Sequence, residues 1–215
     1  MRVTITTKKS NHAKKFGKLI FDDGSVLDGE GFGFSTTTFG EIVFNTGMVG
    51  YTEALTDPSY NGQLLTLTYP LVGNYGVPDP SIKDEDGISK YFESSKIQIR
   101  GLVVHELSLT ASHWNLSMTL DEWMYNEKVP GISGIDTRAL TMKLRNSGVM
   151  MAALVVSDSE IDVDEIKKQH NCDPKVIITG GTSRFIKELL PSEYIFDELL
   201  LLKGLVNIYK KNNKK

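Results

Sequence analysis

FGEIVFNTGMVGYTEALTDPSYNGQLLTLTYPLVGNYGVPDP, residues 39–80, changes character three times along its length. In EIVFNTG, Ile42 and Phe44 share a face at a period of two, the spacing of a β-strand. GYTEALTDPSY, residues 50–60, reads as a short helical turn closed by Asp57-Pro58. From Gln63 to Tyr69 leucine and threonine alternate, and the run stops at Pro70, whose missing N–H suits a strand end. Residues 73–90 hold Gly73, Gly76, Pro78, Pro80 and Gly87 with four acidic residues, the composition of a long loop without a core of its own. Strand, helical turn, strand and long loop in that order indicate a mixed α/β domain.

The flanks extend the pattern. Residues 1–15 are polar and aperiodic and read as a disordered leader, with order beginning near Phe16. Gly17–Phe21 reads as the first strand, and Asp23-Gly24 as a hairpin turn, because glycine tolerates positive φ without steric cost. Gly29, Gly31 and Gly33 in DGEGFGFS lack the following helix and lysine of a phosphate loop and read as a glycine-rich strand. Downstream, residues 91–98 are predicted as a helix and Gly101–Leu107 as an apolar strand. Thr119-Leu-Asp-Glu122 matches a capping box, which predicts a helix to about Lys128 with a break at Pro130. Asp136 caps a second helix, DTRALTMKLRNSG, with Ala139, Leu140 and Leu144 on the apolar face, Arg138, Lys143 and Arg145 toward water, and Gly148 as its end. Val149–Val156 reads as a strand, so the α/β domain runs from about 16 to 160.

Composition excludes several classes of function. With 40% apolar and 24% charged side chains over 215 residues, the chain has enough apolar mass for a buried core. Its longest apolar runs fall well short of the roughly 18–20 residues a membrane span needs. The start MRVTITTKKS has no apolar signal segment, so the expected location is cytoplasmic. A net charge of −3 argues against a nucleic-acid surface. The single cysteine, Cys172, excludes an internal disulfide framework and a cysteine metal cluster.

Catalytic signals are sparse. Cys172 sits in His170-Asn-Cys-Asp-Pro174, without the glycine-flanked strand-to-helix turn that exposes a glutaminase nucleophile. His105 in an apolar strand and His113 in a loop have no partners at ligand spacing, so each reads as structural and no metal is expected. Gly180-Gly181-Thr182-Ser183 follows the apolar run VIIT with the shape of a phosphate loop, a strand running into a helix start, but reads as a simple αβ turn. Glu53, Asp57 and Glu106 are carboxylates without any sign of convergence, and general acid–base chemistry is not expected.

Residues 39–80, together with RGLVVHELSLTASHWN at 100–115 and VPGISGIDTRALTMKLRNSG at 129–148, resemble in collinear order the amino-terminal domain of the carbamoyl-phosphate synthetase small subunit. The resemblance covers about residues 16–160 and implies a swivelling β/β/α fold. It also implies a non-catalytic role, joining a glutaminase domain to a large synthetase subunit that uses ATP and a divalent metal, with no cofactor in this chain. By the same resemblance Ser59 of Asp-Pro-Ser-Tyr reaches the glutamine pocket of the partner domain, while Gly47–Tyr51 and the loop 73–80 form domain or subunit contacts. Read from the residues alone, Ser59 is a turn hydroxyl bonding locally after Asp57-Pro58. A separately encoded glutaminase chain, or a rearranged gene product without activity, are alternative expectations.

From about residue 165 the chain departs from that family. Residues 161–215 are expected as a βαα tail, not a glutaminase domain, and from about residue 165 the tail resembles the carboxyl-terminal end of a type III pantothenate kinase. The leucine-rich helix predicted over 199–209 belongs to a segment too short to bury its own apolar face well.

Overall fold

A computed structural model of the chain describes residues 14–113, 116–164, 166, 177–180, 188, 192 and 194–212. Two compact units result, Met1–Val163 and Asp164–Lys215.

The first unit is built on seven strands. These are β1 (Lys15–Phe21), β2 (Val26–Gly33), β3 (Thr37–Asn45), β4 (Leu64–Leu67), β6 (Gly101–Val103), β8 (Pro130–Ser133) and β9 (Met151–Ser157). They close into a barrel in the order β1-β2-β8-β6-β4-β3-β9. Closure pairs every strand edge in the barrel and leaves no open ladder there. β1, β2, β9 and β3 pair antiparallel, as does β2 with β8. The β3–β4, β4–β6 and β6–β8 pairs are parallel and need crossovers. Helix α1 (Tyr51–Thr56) lies in the first of these crossovers and helix α2 (Leu120–Asn126) in the third. Between them, the chain from 68 to 100 crosses without a helix. Short strands β5 (Leu71–Val72) and β7 (Glu106–Leu107) form a parallel pair outside the barrel.

Alternation within β4 divides the core. Leu64, with Leu19, Ile42, Val103, Ile132 and Leu154, fills the barrel, and Leu140 and Leu144 of helix α3 (Thr137–Ser147) join the same cluster. Leu65 and Leu67 point the other way, to a second cluster with Tyr51, Leu55, Val77, Phe92, Leu120 and Trp123. The glycine-rich segment is part of β2, as read from sequence, and packing explains the glycines. A Cβ on Gly29 would lie 2.3 Å from the Ser133 carbonyl, and one on Gly131 would enter the Phe32 ring at the same distance.

Local signals formed helices where capping chemistry was explicit. Thr119 and Glu122 make the reciprocal capping box, and Asp136 caps α3 through the Ala139 N–H at 2.9 Å. Gly148 ends α3, as expected. Other expectations need correction. Residues 91–98 form no helix: the Glu93 N–H donates to Thr56 Oγ1 at 2.9 Å and Ser94 Oγ donates to the Thr56 carbonyl at 2.6 Å. These side-chain bonds to a neighbouring segment replace helical ones and bury Phe92, Ile97 and Ile99. The expected strand 101–107 breaks at Val104-His105 into β6 and β7. On α3 the buried face is Thr137, Leu140, Thr141 and Leu144, while Ala139 is exposed. Thr141 serves there because its Oγ1 donates to the Thr137 carbonyl at 2.7 Å. Lys143 is half-buried, paired with Asp23 at 2.8 Å and placed over the Phe21 ring. Lys15, assigned to the leader, is already paired with Gly31 in the barrel.

In the second unit β10 (Ile177–Ile178) and β11 (Ile195–Phe196) pair in parallel, followed by helix α4 (Leu200–Asn212). Much of the expected βαα tail, including most of the stretch between β10 and β11, lies outside the described residues.

Candidate functional site

The turn carrying Ser59 is set by Asp57. Pro58–Tyr60 is one turn of 3₁₀ helix with Asp57 as its N-cap, whose carboxylate accepts from the Ser59 N–H at 2.8 Å and from the Ser59 hydroxyl. These two bonds hold the Asp57 carboxyl below the usual carboxylate range, the hydroxyl bond foremost. Ser59 is exposed, and its hydroxyl donates to the Asp57 carboxylate at the surface. Its oxygen keeps acceptor capacity beside that bond, and turning the hydroxyl away from Asp57 makes it a donor to another group.

Beside this turn, Asn45 at the end of β3 accepts from the Gly47 N–H at 2.6 Å and donates to the Tyr60 hydroxyl at 3.1 Å. Gly47 opens a loop whose tip, Met48 and Val49, is 72% and 81% exposed. The loop returns at Gly50, whose φ of 81° and ψ of 34° start α1 from the left-handed region. The Tyr75 hydroxyl accepts from both the Gly50 and Tyr51 N–H groups, at 3.1 and 3.0 Å. Tyr51 stacks on Tyr75 with ring centroids 4.2 Å apart and donates its own hydroxyl to the Gly76 carbonyl at 2.5 Å. Burial pushes both phenols above their usual range. Gly47–Tyr51, Leu71, Asn74 and Tyr75 thus border one cleft of about 100 Å³. The segments that the sequence marked as separate contacts, 47–51 and 73–80, meet there.

The carboxylates do not converge. Glu53 accepts from the Thr52 hydroxyl at 2.7 Å on α1, and Asp57 is occupied by Ser59. Glu106 lies on a different cleft of about 320 Å³ with Lys15, Glu30, His105 and Asp121. His105 has its Nδ1 3.0 Å from the Ile135 carbonyl, and His113 stands edge-on to Tyr75 with ring centroids 6.2 Å apart. Among the described residues no group of three His, Cys, Asp or Glu is placed to hold a metal ion. No helix among them is long and apolar enough to cross a membrane. Cys172 and residues 181–183 of the glycine turn lie outside the described residues.

Asn45, Tyr60 and Tyr75 escaped the sequence reading. Asn45 did carry a signal, an asparagine two residues before a glycine at a strand end, which suits an Asx turn. The two tyrosines carried none, because their partners are 15 to 25 residues away.

Residues 19–154 match the family described as carbamoyl-phosphate synthase small chain, CPSase domain. The carbamoyl phosphate synthase small chain of Pyrococcus furiosus is 47% identical over 156 residues, covering 72% of this chain and 42% of its own length. That of Saccharolobus solfataricus is 47% identical over 154 residues, covering 72% and 40%. The multifunctional protein CAD of Squalus acanthias is 48% identical over 177 residues, 78% of this chain and 8% of that one. The chain thus spans about two fifths of the length of the small chains it matches. A solved aminopeptidase from Aneurinibacillus overlaps 77% of this chain and 40% of its own at 13% identity, with a TM-score of 0.37, too loose to bear on the fold. The match, running from Leu19 within β1 to Leu154 within β9, places this chain in the carbamoyl-phosphate synthase small chain family.

Proposed function

We propose that the barrel unit is the non-catalytic domain of a glutamine-dependent carbamoyl-phosphate synthetase small subunit. It joins a glutaminase domain, on the same polypeptide or a separate one, to a large subunit. The large subunit uses ATP, a divalent metal and bicarbonate to make carbamoyl phosphate in the cytoplasm, and the barrel corresponds to the swivelling β/β/α domain type. Ser59 is its one contact to glutamine. The observation that carries this reading is the exposed Ser59 on a turn already fixed by Asp57, inside a segment that matches the family. A hydroxyl held in one place serves a polar ligand of a neighbouring domain better than a mobile one, because less order is lost on binding. The family match stops at residue 154, and nothing in the reading rests on the likeness of the tail to a kinase.

The chain alone should release no ammonia from glutamine. Mixed with a glutaminase domain and a large subunit it should co-purify with both, and Ser59→Ala should raise KM for glutamine several-fold while kcat changes little. Ammonia release by the purified chain that disappears in Cys172→Ala, or failure to bind either partner, would overturn the proposal.

A further inference from the structure

Helix α4 has two unlike sides. At 3.6 residues per turn, Leu201, Leu202, Leu205, Val206 and Ile208 fall on one half of its circumference, and Lys203, Asn207 and Lys210 on the other. The five apolar side chains are between 49% and 71% exposed. A stripe of that size marks a surface that gains by being covered, because apolar area held in water forgoes its transfer free energy. Charge is one-sided as well. Residues 199–215 hold Lys203, Lys210, Lys211, Lys214 and Lys215 and no aspartate or glutamate, in a chain whose net charge is −3. Asp197 accepts from the Leu199 N–H at 3.1 Å and pairs with Lys203 at 2.7 Å, so Lys203 is balanced and the charge excess lies from residue 210 onward.

We infer that α4 is a surface-binding helix for an anionic lipid bilayer, lying flat with its leucine side toward the acyl chains and its lysines at the headgroups. The helix is 13 residues long. It therefore rises only about 20 Å, short of the roughly 30 Å hydrocarbon core, and rests in the interface instead of crossing it. Charge selects this occupant. A second copy of the chain would bring one basic helix end to a segment with no carboxylate from 199 to 215 to answer it. An anionic bilayer satisfies both sides of the helix together: the leucines leave water, and each lysine near the surface strengthens binding about fivefold.

Sedimentation of the full chain with vesicles tests this, using phosphatidylcholine alone and phosphatidylcholine mixed with phosphatidylserine. Partitioning should be about tenfold or more in favour of the phosphatidylserine vesicles, and raising salt from about 0.1 M to about 1 M should remove most of that preference. Leu205→Asp, which sets a charge in the middle of the apolar side, should abolish binding to both. Lys210→Glu combined with Lys211→Glu should lose more than about tenfold on the anionic vesicles alone. Lys8→Gln combined with Lys9→Gln, in the other lysine-rich stretch, should stay within about twofold of wild type. Equal partitioning onto the two vesicles, undiminished binding by Leu205→Asp, or a loss in the Lys8 and Lys9 variant as large as that in the Lys210 and Lys211 variant would each overturn the inference. Absence of vesicle binding overturns it too, and a dimer in solution that Leu205→Asp dissociates would then assign the leucine side to a second copy.

Discussion

Asp57 is an exposed carboxylate whose two hydrogen bonds both come from Ser59, so its ionisation and the shape of the turn are one event. The bonds favour the charged form, and the folded-state pKa is therefore lower than the unfolded one. The turn is thus fully held above the ordinary 3.8 of a free aspartate and lost as pH falls through the lower folded value. An NMR titration following the Ser59 amide should show a midpoint below 3.8; a midpoint at or above it would remove Asp57 as the cap. A second residue carries a cost rather than a gain. Thr66 on β4 is fully buried and its hydroxyl has no partner. Valine has nearly the same shape without the unsatisfied group, so Thr66→Val should raise stability by about 1 kcal/mol in denaturant unfolding. A loss of stability would show that the hydroxyl is bonded. Ser59 was legible in the sequence as a turn residue because its partner, Asp57, is two positions away. Asn45 was only half legible: its bond to Gly47 is local, whereas its bond to Tyr60 spans the loop and α1.

Elements followed the sequence where their chemistry is local. The capping box of α2 satisfies two N–H groups that have no partner within the helix, through Thr119 Oγ1 and Glu122 Oε2. Because α2 covers a parallel crossover and buries Leu120, Trp123 and Met124, its loss reaches the core. Thr119→Ala should cost about 1 kcal/mol, measured as a shift in denaturant midpoint at unchanged slope. No shift would mean that the glutamate alone suffices. The end of β2 is less forgiving. Gly33 has a φ of 67°, donates its N–H to Asp121 at 2.7 Å, and would place a Cβ 2.4 Å from the Val129 carbonyl. Gly33→Ala should cost roughly 2–4 kcal/mol from backbone strain and overlap together, and thermal unfolding of the variant measures it. The segment 91–98 was misread as a helix because the Glu93 N–H and the Ser94 hydroxyl bond to Thr56 at the end of α1, a competitor that no local window contains.

For the whole molecule, both apolar clusters are built, among the described residues, from residues of the barrel unit up to Val156. In the tail, Leu201, Leu202, Leu205 and Ile208 of α4 are exposed, and the described strands are two residues long. The chain cut after Val163 should keep the cooperative unfolding of the barrel, and hydrogen exchange on the full chain should be much faster over 194–212 than over β1 to β9. Uniform protection from 20 to 209 would contradict this. By itself the sequence determined the two capped helices, the glycine-rich strand and the turn at Ser59, because each rests on spacing within one short segment; the α/β class followed from the order of such segments, and the family from a resemblance collinear over three blocks. Only the tertiary structure decided the closed barrel order, the meeting of loop 47–51 with Asn74 and Tyr75, and the link from Asn45 to Tyr60. These depend on which strand lies beside which, and the crossovers set that by bringing distant residues into hydrogen-bond reach that no periodicity records.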